Sequence, residues 1–226
     1  MKKIIRVWDL PIRLFHWLLV VCIVGSFVTI NLGDEFIQWH AYFGYCILTL
    51  LIFRIGWGFV GSTHARFASF LPTKKAIFDY LSGSPPRVLG HNPIGAISVF
   101  ALIFVLCVQV LTGLFVDDEV SFQGPLAKYV SGSISSFLSE IHEGNQVVIY
   151  TLIAIHIAAI WYYKKFKGEN LIKPMISGDK EIDPSEEAKY LPADLDRDSK
   201  DGVLQRGFAL ILLSVIAVAV GYLITK

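Results

Sequence analysis

Four histidines stand in sequence that is otherwise built from apolar side chains. In "HEGNQVVIYTLIAIH", residues 142 to 156, an imidazole opens and closes the run. Fourteen residues make almost four helical turns, so on a helix His142 and His156 share a face, about 21 Å apart along its axis. His16 in "LFHW" and His40 in "QWHAY" stand near the starts of two more apolar stretches. Imidazole can give one neutral nitrogen to a transition metal while the other hydrogen-bonds a carbonyl or water. Inside a bilayer such a group is costly unless something satisfies it, which makes an intramembrane histidine a functional hypothesis.

The elements that would position these rings are transmembrane helices. The 226-residue chain is 54% hydrophobic and only 17% charged, with a mean hydropathy of +0.57, too apolar for an ordinary soluble domain. A hydrocarbon layer about 30 Å thick needs roughly 20 apolar helical residues. Such windows recur from Leu14 to Ile30, Trp39 to Val60, Pro93 to Val116, Ile141 to Tyr163 and Val203 to Ile224. An all-α integral membrane protein with five spans is predicted. The first window is long, Trp8 to Trp17 is not a typical basic n-region, and no A-x-A-like cleavage site follows, so it is read as a retained helix. A net charge of +1 is uninformative about a nucleic-acid partner and no long basic run suggests one, so none is expected. Cys22, Cys46 and Cys107 have no C-x-x-C spacing and read as small packing residues.

Charge sets the expected orientation. Lys2, Lys3, Arg6 and Arg13 precede the first span; Arg66, Lys74, Lys75 and Arg87 lie between spans two and three; Lys164, Lys165 and Lys167 follow span four. The opposite loops hold Lys128, and Lys226 ends the chain. The positive-inside rule then puts the N-terminus in the cytoplasm and the C-terminus on the outer side. Asp34, Glu35, Asp117, Asp118, Glu119, Glu140 and Glu143 collect on the outer side, an acidic face that would steer a basic partner. Trp8, Trp17, Trp57 and Trp161 fall near the inner boundary and Trp39 near the outer one. Residues 168 to 202, polar and carrying Pro174, Pro184 and Pro192, read as a cytoplasmic loop, partly ordered at best.

In this frame the histidines form two level pairs, His16 with His156 on the inner side and His40 with His142 on the outer. A lone histidine of this kind is more often an interfacial side chain bonded to lipid or backbone. Four in two pairs fit b-type haem, whose iron takes two axial imidazoles from facing helices. With both axial positions filled, oxygen chemistry has no open site, and electron transfer is the expected role. Zinc would want more ligands at tighter spacing. Small residues near the rings, Gly44, Gly113 and Ala159, leave room for a flat macrocycle, although helix packing also favours them. Arg54, fourteen residues after His40, would sit at inner depth to pair with haem propionates; Arg13 and Arg66 are further candidates.

"VWDLPIRLFHW" at 7 to 17, "WHAYFGY" at 39 to 45, "RIGWGFVGSTHARF" at 54 to 67, "GHNPIGA" at 90 to 96, "LTGLFVDD" at 111 to 118, residues 141 to 163 and "ENLIKPMISGDK" at 169 to 180 together resemble the bacterial cytochrome b-561 family. Within it they resemble the b-type cytochrome subunits of nickel-iron hydrogenases. The resemblance implies a four-helix transmembrane bundle over residues 1–167 holding two non-covalent b haems, with ligands on His16, His40, His142 and His156. Residues 168–202 would follow as the polar loop and 203–226 as an additional fifth helix. It also implies electron exchange between a quinone pool and a partner in a respiratory chain, with a quinone site beside the inner haem. Asn92 and His91 are the residues expected near that site, while "HNP" also reads as a helix start with Asn92 as cap and Pro93 in the first turn. His64 reads as a loop or quinone-site residue. A homodimer follows by family analogy.

The reading is therefore a dihaem cytochrome linking quinone to a hydrogenase-like enzyme or a c-type cytochrome at the periplasmic face. A membrane anchor for a peripheral redox enzyme, its haem only structural, is the alternative. A proton or metal transporter would want carboxylates in mid-membrane, and the spans hold none there.

Overall fold

The computed structural model describes residues 2–83, 88–185, 190 and 198–225; Arg87, Pro192 and Lys226, used above, lie outside them. In chain order the named elements are β1 (Lys3–Arg6), α1 (Leu10–Leu32), α2 (Ile37–Val60), α3 (Lys74–Leu81), α4 (Pro93–Gly113), α5 (Gly132–Phe166), α6 (Ile172–Ser177), β2 (Asp179–Ile182) and α7 (Val203–Ile224). Among the described residues five helices, α1, α2, α4, α5 and α7, are long and apolar enough to cross a membrane. Val24, Phe104 and Val218 are among the large apolar side chains they expose. Such outward display suits lipid and would be a liability in water.

The helices outrun the apolar windows for local reasons. α1 begins at Leu10 because Asp9 caps it, accepting the Ile12 N–H at 2.8 Å, a contact worth about 1 kcal/mol. α5 begins nine residues before Ile141 because its first turns are serine-rich yet helical, which a hydropathy window does not register. The segment expected as a polar loop carries α6 and β2.

The chain divides into two compact units, each containing one end of all five long helices. Unit 1 comprises Met1–Leu14, Ile55–Ala101 and Ala154–Ala209. In it β1 pairs antiparallel with β2, Lys3 opposite Ile182 and Arg6 opposite Asp179. The Val7 and Trp8 N–H groups both donate to the Gly178 carbonyl, at 2.9 and 3.0 Å. Gly178 has φ +91°, and a Cβ there would lie 2.7 Å from the Trp8 carbonyl oxygen, so the turn requires glycine. Asp201, its side chain 4% exposed, gathers Arg6 at 2.7 Å, Arg206 at 3.0 Å and Arg13 at 3.7 Å. It also accepts the Leu10 N–H at 3.2 Å. Burial pushes the Asp201 carboxyl upward, but the hydrogen bonds from Arg206, Leu10 and Arg6 win and hold it below the usual carboxylate range. Asp9, fully buried, also accepts the Trp57 indole N–H at 3.0 Å.

Unit 2 comprises Phe15–Arg54, Leu102–Ile153 and Leu210–Lys226. Gly25 packs so tightly that a Cβ there would fall 2.5 Å from the Phe43 ring. The loop after α4 is tied by Asp118, whose Oδ1 accepts the N–H groups of Val120, Ser121 and Phe122. The Phe122 N–H, then the Ser121 hydroxyl, hold this carboxyl far below its ordinary range. Ser135 in the extra turns of α5 donates to the Phe115 carbonyl at 2.7 Å. Charge divides sharply: among the described residues the Lys and Arg of unit 2 are Arg54 and Lys128, whereas it holds all seven acids assigned to the outer face.

Candidate functional site

In unit 2, α2 and α5 bring His40 and His142 together, with ring centres 6.1 Å apart and planes at 83°. His40 Nδ1 lies 3.0 Å from the Ser26 carbonyl oxygen and 3.1 Å from its hydroxyl. His142 Nδ1 lies 2.9 Å from the Gln109 carbonyl oxygen. A carbonyl only accepts, so each Nδ1 carries the proton and each neutral ring keeps its lone pair on Nε2. Two imidazoles bound to opposite sides of one metal ion through bonds of about 2 Å have centres about 6 Å apart, matching the observed spacing. Ser26 is 9% exposed, so these bonds are made largely out of water, where an unmade one would cost about 1–3 kcal/mol.

Two glycines shape the surroundings differently. At Gly44, one turn after His40, an added Cβ would meet nothing within 4 Å, so the space over that turn of α2 is open. A Cβ on Gly113 would lie 2.8 Å from His142 Cε1, so its absence lets the imidazole stand against the end of α4. The open space and the paired lone-pair nitrogens fit a flat macrocycle with a bis-histidine metal.

Sequence reasoning missed the groups that hold His142. Gln109 Nε2 donates to the His142 carbonyl at 3.0 Å, and Asn145 Nδ2 donates to Gln109 Oε1 at 2.8 Å and to the Val105 carbonyl at 2.9 Å. Thr112 Oγ1 stands 3.5 Å from His142 Nδ1. These bonds stitch α4 to α5 around the ring. Their signal was present as hydroxyls and amides inside apolar spans, with Asn145 one turn from His142 and Ser26 fourteen residues before His40.

The other predicted residues are placed as follows. His16, half-buried and edge-on to Trp17 at 5.1 Å, belongs to unit 2; His156, also half-buried, belongs to unit 1. Arg54 is 4% exposed, a buried cation of the kind that needs an anion or several acceptors. Arg13 Nη1 donates to the Ile176 carbonyl at 2.6 Å. Arg66 lines a cavity of about 400 Å³ whose lining contains none of the four histidines. Asn92 caps α4, accepting the Gly95 N–H at 2.7 Å, and its Nδ2 donates to the Tyr163 hydroxyl at 2.8 Å. Tyr163 also meets the Tyr80 hydroxyl from α3. His91 lies between Trp8 and Phe70, with ring centres 4.8 and 4.5 Å away. The buried His64 donates its backbone N–H to the Ser199 hydroxyl oxygen at 3.5 Å.

The whole chain can be compared with known proteins. A family model described as prokaryotic cytochrome b561 matches residues 7–178. The chain is 23% identical over 210 residues to the probable Ni/Fe-hydrogenase B-type cytochrome subunit of Rhodobacter capsulatus, covering 77% of this chain and 80% of that protein. It is 22% identical to the corresponding protein of Rhizobium leguminosarum bv. viciae, covering 79% and 90%. To the Ni/Fe-hydrogenase 1 counterpart in Escherichia coli K12 it is 21% identical, covering 76% and 88%. With the family match spanning four of five long apolar helices and both histidines of the pair, the chain belongs to the prokaryotic cytochrome b561 family, multi-pass membrane proteins that carry b-type haem.

Proposed function

We propose that the chain carries electrons between a membrane quinone and a hydrogenase-like partner through two b-type haems, held by His40 with His142 and by His16 with His156. The approach of His40 and His142 to 6.1 Å, each with its Nδ1 proton given to a backbone carbonyl, is the observation that carries this reading. A b haem held by these residues would supply a one-electron couple.

The protein's own part is to fix tautomer and orientation. Ser26 and Gln109 accept the Nδ1 protons, so both rings are presented neutral and with Nε2 as donor. Asn145 and Gln109 hold α4 against α5, which keeps ring height constant whether or not charge is added nearby. Arg54, buried on α2, is the candidate partner for a propionate. Asn92, Tyr163 and His91 are the candidate quinone-facing groups, their polar tips standing among Trp8, Phe70 and Tyr80. The seven acids of unit 2, offset among its described residues by Arg54 and Lys128 alone, support docking of the partner at the periplasmic face. The relatives' names support a hydrogenase-like identity for that partner; a c-type cytochrome is the competing outcome.

A pyridine haemochrome count with a dithionite-reduced minus oxidised spectrum tests the proposal. Two non-covalent b haems per chain are expected; His142→Ala and His156→Ala should each remove one and leave the other. A colourless protein, or loss of both haems from either substitution in a chain that still melts cooperatively, overturns the pairing. Quinol oxidation in liposomes separates an electron carrier from an anchor with structural haem.

A further inference from the structure

We infer that the cavity at the start of α7 binds the headgroup of one anionic phospholipid, its phosphate held by Arg66, Lys200 and the Ser62 hydroxyl. The cavity, about 400 Å³, lies within unit 1 and is ample for a phosphodiester with its glycerol. Arg66 and Lys200 line it, and no carboxylate does so among the described residues. Ser62, 6% exposed and also in the lining, has a hydroxyl with no hydrogen-bond partner among the described residues. A buried hydroxyl left unpartnered is costly, and an anion oxygen is the acceptor that would relieve it. Leu204 and Gln205, from the first turn of a 22-residue helix, complete that wall, where backbone N–H groups and the helix dipole favour negative charge. The neighbouring Asp201 does not oppose this, since Arg6 and Arg206 already bind its carboxylate.

A lipid, rather than free phosphate, is the occupant because the lining is amphipathic. Val60, the last residue of α2, and Leu204 and Phe208 of α7 line the same cavity and are 57%, 85% and 49% exposed. Both helices are membrane spans, so their ends lie at the boundary where phosphate and acyl chain meet. Cations close to a headgroup contribute additively to anionic lipid binding. This reading does not depend on the haem assignment.

Native mass spectrometry of the full chain in detergent, titrated with phosphatidylglycerol or phosphatidylcholine, tests it. One phosphatidylglycerol should bind in clear preference to phosphatidylcholine. Arg66→Gln and Lys200→Gln should each weaken that binding about fivefold, while Arg66→Lys and Lys200→Arg retain most of it. Melting temperature and monodispersity identify variants that merely misfold, and the charge-keeping pair then carries the comparison. Equal binding of the two lipids, unchanged binding in both glutamine variants, or displacement of the lipid by millimolar inorganic phosphate would each overturn the assignment.

Discussion

Unit 1 is fastened by full charges, whereas the histidine pair of unit 2 is fastened by neutral bonds to backbone carbonyls. In the first, Asp201 ties Arg6 and Arg13 of the N-terminal segment to the start of α7, where it also pairs with Arg206, and Lys180 pairs with Glu169. Ser26, Gln109 and Asn145 serve the second. The difference follows from solvent: ion pairs tolerate the wet end of a membrane protein, while within the hydrocarbon a charge costs far more than an amide. A carbonyl partner also leaves each imidazole neutral, where a carboxylate would push it toward imidazolate character.

Substitutions that strike one fastening and spare the other should separate the two units. Gly113→Val should have the largest effect, because its Cβ would meet His142 Cε1 at 2.8 Å and push the ring aside. The haemochrome count should fall from two toward one, with the fastening of unit 1 intact; an unchanged count would mean that the ring can move without losing its role. Asp201→Asn should act on unit 1 alone, destabilising by about 3 kcal/mol through loss of a buried ion-pair acceptor and lowering the melting temperature at unchanged haem content. Because the folded-state carboxyl lies below its ordinary value of 3.8, its contribution is fully present above that pH and is lost as pH falls through the folded-state value. The wild-type melting temperature should therefore drop on acidification below about pH 4, and the Asn variant should show a smaller drop. Asn92→Asp is the subtlest test: it keeps the cap on α4 and removes the N–H donated to Tyr163. Quinol oxidation should fall with melting unchanged; unaltered turnover would leave Asn92 as a cap alone.

Much of this architecture was legible from local signals. Five apolar windows marked the five long helices, Asn92 and Pro93 marked the start of α4, and the matching depths of His40 and His142 anticipated their meeting between α2 and α5. The β1–β2 ribbon was not legible, because it joins residues more than 170 positions apart through strands of four residues without alternating polarity. Arg13 read as a propionate candidate for want of any local sign that Ile176 and Asp201 would engage it. The carbonyls of Ser26 and Gln109 escaped notice because a backbone acceptor has no residue type to betray it; only the fold shows which one a ring reaches.

The serine-rich beginning of α5 has a mechanical consequence. At 1.5 Å per residue the helix is about 52 Å long, against about 30 Å of hydrocarbon. Its apolar stretch from Ile141 to Tyr163 suffices to cross, so the turns from Gly132 to Glu140 stand clear of the acyl chains as a rigid post. Pinned to the Phe115 carbonyl through Ser135, that post gives an approaching macromolecule a stiff foothold continuous with His142, and a tilt imposed at its tip would be felt at the imidazole.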